Sequence, residues 1–291
     1  MKAGVCSYCF NAPLVAGEMS FMDVIEFVGG ETEADCIEPL SRYWAAGTPE
    51  IEQARAAKER IDALGLAVSC YTLDSDFAVY DDEKNAECIE QCKARLETAR
   101  VLGTNTIRID PRTSLPCEPD EADLDDVLVR ISESMSEVAA AAAKKGITVG
   151  VENHGTLLGR TAQVEKMIEM VDRANFGVNI DPTNFRNVFG EDHVEAARRL
   201  AKHVVHVHAK DFYIRAEPQE GDEWRQIPSG EYVRRAVGGE GDAQWPLLLR
   251  ILKEAGYDGT VSLEISDPND IKGSVAKGVA NLKRMIRELV D

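Results

Sequence analysis

Four segments of the chain end on side chains that can bind a divalent metal ion. Each is a short run rich in Val, Ile or Leu with the two-residue alternation of a β-strand. The four terminal residues are Glu152, Asp181, His208 and Glu264. All four lie on the same side of their strands, opposite the aliphatic residues. Ionisable groups that converge in this way repel one another or lose hydration unless a cation joins them, so the pattern indicates a metal site.

The chemistry of the four groups favours one ion type over others. Three carboxylates and one imidazole suit Mn²⁺ best, and Mg²⁺, Co²⁺ or Zn²⁺ are the alternatives. For any one of these residues taken alone, a polar group that simply caps the next helix is an equal explanation. Four such residues on consecutive strands favour one divalent metal ion as the cofactor.

The elements that must position these residues alternate regularly along the chain. Eight strand-like segments are predicted at 1–10, 34–38, 66–72, 106–110, 147–152, 176–181, 203–208 and 260–264. Helical patterns follow each of them, which predicts a parallel sheet with right-handed crossovers. Eight repeats predict closure into an α/β fold of the (β/α)₈ TIM-barrel type, a single domain over residues 1–291. An open doubly wound sheet is disfavoured because no Gly-rich phosphate motif follows the first strand.

Residues beside the predicted ligands are candidates for binding substrate. On the seventh strand, Val205 and Val207 are expected to point outward while His206, His208 and Lys210 point inward. His206 is equally consistent with an interior histidine whose hydrogen bonds are satisfied, and Lys210 with a charge that balances the carboxylates. The complete set of candidate substrate-binding residues is Arg108, His154, His206, Lys210 and Arg215. A long loop from 211 to 242 follows the seventh strand and is a candidate lid or subunit contact.

Composition excludes several classes of partner. The chain has 291 residues with 33 basic and 51 acidic side chains, a net charge of −18 that argues against nucleic acid or an anionic membrane. Seven cysteines in no regular framework are typical of a reduced, cytoplasmic protein, and Cys6 and Cys9 are expected to pack rather than bind zinc. A small molecule is the expected partner, and assembly of the chain into a homo-oligomer is compatible with the sequence.

Several motifs resemble a known family. They are Val149-Gly-Val-Glu152-Asn153-His154-Gly155, Asp181-Pro-Thr-Asn184, His206-Val-His208-Ala-Lys210-Asp211 and Gly256-Tyr-Asp-Gly259 followed by Leu263-Glu264. Together they resemble the xylose isomerase-like TIM-barrel superfamily, and its sugar phosphate isomerase/epimerase branch most closely. The resemblance implies that the four residues named first are the metal ligands and that Glu152 and Glu264 are the catalytic acid/base pair. It implies an isomerase or epimerase of a sugar, sugar phosphate or related keto-polyol, acting through a metal-stabilised enediolate.

Two departures from the pattern keep other functions open. Ketose 3-epimerases carry a His three residues after the strand-six Asp and a second Glu six residues after the strand-five Glu. The chain has Asn184 and Leu158 at these positions, so 3-epimerisation of a free ketose is disfavoured. A metal-dependent lyase on the same scaffold, which removes water from an inosose or dehydroshikimate or cleaves an oxidised glycoside, is the main alternative. An endonuclease IV-like repair enzyme is disfavoured by five histidines and the negative charge, and a barrel without catalysis is the remaining alternative.

Overall fold

Nine parallel strand segments form a nearly closed barrel. The computed structural model describes residues 1–79, 81–111, 121–219 and 224–289, so most of the predicted loop from 111 to 121 lies outside the described residues. The barrel strands are β1 Lys2–Cys6, β2 Cys36–Glu38, β3 Ala67–Val68, β4 Tyr71–Thr72, β5 Thr106–Ile109, β6 Thr148–Glu152, β7 Phe176–Ile180, β8 Val204–Ala209 and β12 Thr260–Leu263. Their order is β3-β2-β1-β12-β8-β7-β6-β5-β4. The predicted TIM-barrel fold is confirmed.

The ninth segment arises because the predicted third strand is split. Its first half, β3, pairs with β2, and its second half, β4, pairs with β5. At the split, the Ser69 N–H donates to the Ile37 carbonyl at 3.1 Å, and Leu73 N–H donates to the Arg108 carbonyl at 2.8 Å. The two halves therefore join the two edges of the sheet and bring the barrel close to closure.

Ten helices lie in the described part of the chain. They are α1 Asn11–Val15, α2 Phe21–Glu31, α3 Glu50–Ala63, α4 Asp82–Leu102, α5 Glu121–Ala143, α6 Thr161–Val171, α7 Pro182–Phe189, α8 His193–Leu200, α9 Trp245–Glu254 and α10 Ile271–Glu288. Helix α2 begins with a capping box between Ser20 and Asp23. The short helices α1 and α7 were not predicted. The core lies between the helices and the outward faces of the strands, where Ile107 and Ile109 of β5 are fully buried.

Strand β8 contains a bulge that the alternation of residues did not predict. Val204 pairs with Val178, but the next pair joins His206 to Asn179, so Val205 is an extra residue. A Cβ at Gly150 or Gly177 would lie within 3.0 Å of the Val205 side chain. The prediction that Val205 points outward with Val207 was wrong. Its side chain packs against Gly150 of β6 and Gly177 of β7.

The predicted loop after the seventh strand is partly a small sheet. Within 211–242, the strands β9 Phe212–Arg215, β10 Arg225–Gln226 and β11 Tyr232–Arg235 pair antiparallel in the order β10-β11-β9. We call these three strands the roof sheet, because its residues line the cleft above the carboxyl end of the barrel.

Two further observations concern membranes and the cysteines. No helix among the described residues is long and apolar enough to cross a membrane. Cys6 and Cys9 are free and buried, and burial raises the pKa of both thiols well above the ordinary value. Cys6 also lies within 4.8 Å of ligand atoms of His208 and Glu264, so its role stays a prediction, while Cys117 lies outside the described residues.

Candidate active site

Three of the four predicted metal ligands meet at the carboxyl end of the barrel. Glu152 ends β6, Asp181 follows β7 and Glu264 follows β12. One carboxylate oxygen from each lies within 4.8 Å of the others, and all three residues are buried. Because parallel strands place their carboxyl ends on one rim, residues far apart in sequence form a single cluster.

The fourth predicted ligand, His208, borders the same cluster. Its Nδ1 lies 3.1 Å from Oε2 of Glu264 and 3.4 Å from Oε1 of Glu152. Burial would lower the pKa of this imidazole, but the charges of Glu264, Glu38 and Glu152 raise it well above the ordinary value. The structure thus gathers three of the four residues in one cluster and places His208 in contact with two of them.

Local hydrogen bonds fix the orientation of Asp181. The Asn153 amide donates to the Asp181 carbonyl and accepts from its N–H, both at 2.8 Å. Oδ1 of Asp181 accepts from the N–H and hydroxyl of Thr183 and so caps the start of α7, where Pro182 occupies the first turn. The second oxygen, Oδ2, therefore faces the cluster.

Lys210 places its ammonium among the carboxylates. Its Nζ lies 2.7 Å from Asp181 Oδ2, 2.7 Å from Glu264 Oε2 and 3.8 Å from Glu152 Oε1. Burial would lower the pKa of Lys210, but these three carboxylates raise it well above the ordinary value. The predicted alternative for Lys210, a charge that balances the carboxylates, describes its position in the structure.

Arg108 holds Glu152 from the side of β5. Its guanidinium contacts Oε2 of Glu152 and lies 3.1 Å from Oδ2 of Asp110. Burial alone would raise the pKa of Glu152, but the charges of Arg108, His208 and Lys210 lower it well below the ordinary value. Glu152 is therefore ionised, and one of its two oxygens contacts the Arg108 guanidinium.

His154 lies at the edge of the cluster and faces the cleft. Its side chain is 48% exposed, and its Nδ1 lies 3.2 Å from Oδ2 of Asp110. The hydrogen bond to Asp110 raises the pKa of His154 above the ordinary value, although burial opposes this. His154 was predicted to contact substrate, and the structure places it half-exposed and paired with a carboxylate.

His206 lies below the cluster and bonds to a residue that the site prediction did not include. Its Nε2 lies 2.8 Å from Oε2 of Glu38, while Oε1 of the same carboxylate lies 2.9 Å from Nε2 of His208. The Thr72 hydroxyl donates to Oε1 at 2.6 Å. All four side chains are buried, and the structure gives His206 an interior partner rather than a face on the cleft.

The sequence did contain a pattern that could have identified Glu38 and Asp110. Each follows an alternating strand and precedes a proline, Pro39 and Pro111 respectively. Each therefore ends its strand on a carboxylate, as the four predicted ligands do. The burial of both carboxylates confirms that they belong to the interior of the barrel mouth.

The structure does not bring Arg215 to the cluster. Its guanidinium lies 2.6 Å from Oδ2 of Asp242 at the edge of the roof sheet, and it is absent from the cleft lining. Asn184, which departs from the ketose 3-epimerase pattern, donates to Glu152 Oε1 at 3.4 Å. Leu158, the second departure, is fully buried in the hydrophobic core.

A cleft of about 1180 Å³ opens above the cluster. Glu152, Glu264, Lys210, Arg108 and His154 all contribute to its walls. This volume accommodates a small metabolite together with water.

The donor set fits a divalent cation. Five buried carboxylates lie at the barrel mouth beside two permanent cations and two imidazoles whose pKa is raised: Glu38, Asp110, Glu152, Asp181 and Glu264 against Arg108, Lys210, His154 and His208. In addition, Oδ2 of Asp181 and Oε2 of Glu264 are buried without an aligned hydrogen-bond donor, although the Lys210 ammonium contacts both. A small, hard cation is the group that such an excess of oxygen ligands binds.

Comparison with known proteins agrees with the barrel fold. A family model described as a xylose isomerase-like TIM barrel matches residues 24–288. Rhizopine catabolism protein MocC of Rhizobium meliloti is 26% identical over 293 residues, covering 90% of this chain and 85% of that protein. The inosose dehydratase of Clostridium perfringens strain ATCC 13124 is 26% identical over 138 residues, 46% of each chain, so the chain matches about half the length of this relative.

The fold also matches that of solved structures. The crystal structure of IOLI protein with a zinc atom superimposes with a TM-score of 0.73 at 17% identity, covering 100% of this chain and 98% of that one. At this level of identity the comparison shows the fold alone.

Proposed function

The chain belongs to the xylose isomerase-like TIM-barrel family, and from this premise we propose that it is a divalent-metal-dependent enzyme acting on a polyhydroxylated ketone. The reaction begins with removal of a proton from the carbon beside the carbonyl group. The observation that carries the proposal is the convergence of the Glu152, Asp181 and Glu264 carboxylates beneath the cleft, with the His208 imidazole in contact with two of them. These four residues would hold the ion. When bound, it would polarise the substrate carbonyl and so acidify the neighbouring C–H bond.

Glu264 is the proposed base. It lines the cleft, and no arginine contacts it among the residues that the structure describes. Burial would raise its pKa, but His208 and Lys210 lower it below the ordinary value, so the group is ionised at neutral pH. An ionised carboxylate at the wall of the cleft can accept the substrate proton.

Glu152 is better suited to hold the ion than to exchange protons. The Arg108 guanidinium contacts one of its oxygens and its charge lowers the pKa of Glu152, whereas His208 and Lys210 are the groups that lower the pKa of Glu264. A carboxylate stabilised in this way is a weaker base. The two glutamates that the family resemblance implies as an equivalent pair are therefore unequal in this site.

His154 is the proposed acid. Asp110 raises its pKa above the ordinary value and so favours the protonated imidazolium, which is half-exposed to the cleft. Lys210 also lines the cleft and is placed to donate to a substrate oxygen. The site thus has a carboxylate base, Glu264, and a separate acid of a different type, His154.

A base and a separate acid support elimination of water as the first candidate outcome. Glu264 takes the proton, the C–H electron pair becomes the new C=C bond, and the C–O bond on the next carbon breaks. The departing hydroxyl takes a proton from His154 and leaves as water, so atoms and charges balance. The partial similarity to an inosose dehydratase supports a substrate of the keto-polyol class.

Isomerisation or epimerisation is the second candidate outcome. The observation that favours it is that both Glu152 and Glu264 line the cleft, so that two carboxylates face the substrate. In this reaction one of them returns the proton to the same carbon or its neighbour, and no water is lost.

The test is to incubate the Mn²⁺-loaded and metal-stripped protein in D₂O with a keto-inositol, 3-dehydroshikimate, a ketose and a ketose phosphate. Metal is removed before the products are analysed by NMR. Metal-dependent loss of water from one compound supports the dehydratase, whereas deuterium in a product of unchanged composition supports the isomerase or epimerase. Absence of any metal-dependent deuterium exchange across the panel contradicts the proposed reaction.

Two variants assign the roles. Glu264→Gln should reduce deuterium exchange at least a thousandfold, while His154→Asn should slow the loss of water at least tenfold and leave the exchange of the C–H proton. Glu240→Gln is the matched control, because Glu240 is exposed, lies outside the cleft and pairs with Lys277. Replacing Mn²⁺ by Mg²⁺, Co²⁺ and Zn²⁺ in the same assay tests the predicted preference for manganese.

A further inference from the structure

Two arginines of the roof sheet share one face. Arg225 of β10 pairs directly with Val233 of β11, and Arg235 lies two residues further along β11. Residues that pair directly, and residues two apart on one strand, point to the same side of a sheet. The two side chains are therefore diagonal neighbours, whose separation in antiparallel sheets is about 7–8 Å.

This shared face borders the cleft. Val233 is buried between the two arginines, and Phe212, which pairs with Arg235, also contributes to the cleft wall. Arg225 and Arg235 both line the cleft. The opposite face also contributes Tyr213 and Arg234 to the cleft lining, but there Arg234 stacks on the rings of Tyr213 and Trp224, with its guanidinium carbon 4.9 Å and 5.5 Å from their centres.

Neither arginine has a partner among the described residues. Arg225 and Arg235 are exposed to the cleft, and within the ranges that the structure describes they form no ion pair and no side-chain hydrogen bond. The other lysine and arginines of the cleft lining have partners: Arg42 pairs with Asp74, Arg108 with Glu152 and Lys210 with Asp181, while Arg234 stacks on two aromatic rings. Two like charges on adjacent strands repel one another, and a bound anion would relieve that repulsion.

Strand pairing connects the two arginines to the segment that carries Lys210. Arg235 pairs with Phe212, two residues after Lys210, and the next residue, Ala236, donates its N–H to the Asp211 carbonyl at 3.0 Å. The cleft therefore has an acidic floor that suits a cation and a basic roof, in a chain whose net charge is −18.

We propose that Arg225 and Arg235 form an anion-binding subsite for a carboxylate or phosphate group of the substrate. The inference rests on the proposed function, since it assigns the cleft above the ligand cluster to the substrate. Guanidinium groups bind both kinds of oxyanion through charge-assisted, bidentate hydrogen bonds. The keto-polyol part of the substrate then extends from the roof sheet to the cluster, so the subsite selects anionic substrates over neutral ones.

The test is a calorimetric titration of metal-stripped protein with inorganic phosphate, with D-gluconate and with neutral D-glucitol. Wild-type protein should bind phosphate or gluconate, and the double variant Arg225→Gln, Arg235→Gln should bind the same anion at least tenfold more weakly. Arg250→Gln, which removes an exposed arginine on α9 outside the cleft, is the matched control and should bind as wild type does. Tighter binding of phosphate identifies a phosphoryl group, and tighter binding of gluconate identifies a carboxylate.

Three results overturn the subsite: no binding of either anion to wild-type protein, equal binding to wild type and the folded double variant, or binding of both anions no tighter than that of glucitol. The titration uses neither metal nor turnover, so its failure leaves the proposed proton transfer standing. Conversely, absence of metal-dependent exchange in D₂O would leave the anion titration intact.

Discussion

Glu38 should control the metal affinity of a site that it does not itself line. Its Oε1 lies 2.9 Å from Nε2 of His208, while Nδ1 of the same ring faces Glu264 at 3.1 Å. If Nε2–H donates to Glu38, Nδ1 remains as the nitrogen that can bind the ion, and the ring cannot rotate away. We therefore expect Glu38→Gln and Glu38→Ala to weaken binding of Mn²⁺ in that order.

The magnitude follows from the contacts that each variant keeps. Loss of a carboxylate that orients a metal-binding histidine typically lowers metal affinity about 10–100-fold, or roughly 1.4–2.8 kcal/mol. The carboxylate of Glu38 accepts from Thr72, His206 and His208. Gln keeps one oxygen that can accept from His208, so its cost should be about tenfold. Ala leaves all three groups without this acceptor, so its cost should be about a hundredfold.

The assay is a competition titration of Mn²⁺ between the metal-free protein and a fluorescent chelator at constant pH. Near-UV circular dichroism checks that each variant is folded, and Glu240→Gln again serves as the exposed control. A second readout is the ¹H NMR signal of the His208 Nε2–H, which should lie downfield in wild type and shift upfield in Glu38→Gln. Wild-type affinity in a folded Glu38→Gln variant, with the Nε2–H signal unmoved, would refute the reasoning.

Two further predictions concern the same binding equilibrium. Lys210→Met should strengthen Mn²⁺ binding about tenfold or more, because the ion no longer displaces an ammonium that lies 2.7 Å from both Asp181 and Glu264; weaker binding in the same titration contradicts this. Apparent metal affinity should fall about tenfold for each unit of decreasing pH near neutrality, because the raised pKa of His208 means that the ion must displace its proton. The stability of the metal-free protein depends on pH in the opposite direction. Because the pKa of His208 is raised in the folded state, its protonation contributes stability that is complete below about pH 6.5 and is lost as the pH rises through the folded-state pKa. The melting temperature of metal-free protein should therefore fall as pH increases above 6.5, and a flat profile would contradict the assignment.

The sequence predicted the location of the site because strand parity is a local property. Alternation within five residues places Glu152 on the inner face of its strand, and the carboxyl ends of parallel strands meet on one rim. This is enough to gather the four proposed ligands without knowledge of any tertiary contact. Their role as ligands stays a prediction.

The partners of these residues depend on contacts between distant strands, which parity does not specify. Arg108 was predicted as a candidate for binding substrate, and in the structure it pairs with Glu152 and Asp110. The bulge at Val205 likewise depends on the space left by glycines on two neighbouring strands. The roof sheet was predicted as a loop because its strands are two to four residues long and contain arginines, which gives too short an alternation to recognise.

The partners also bear on the question of which reaction follows proton removal. A cluster of three carboxylates and one imidazole can serve isomerisation, epimerisation or elimination equally, because each begins with the same acidified C–H bond. The outcomes differ in the group that acts second. Arg108 contacts Glu152 and lowers its basicity, whereas Asp110 raises the pKa of His154 and favours its protonated form. Both effects originate in β5 and the residue that follows it, so in the proposed mechanism this strand, which supplies none of the proposed metal ligands, selects elimination.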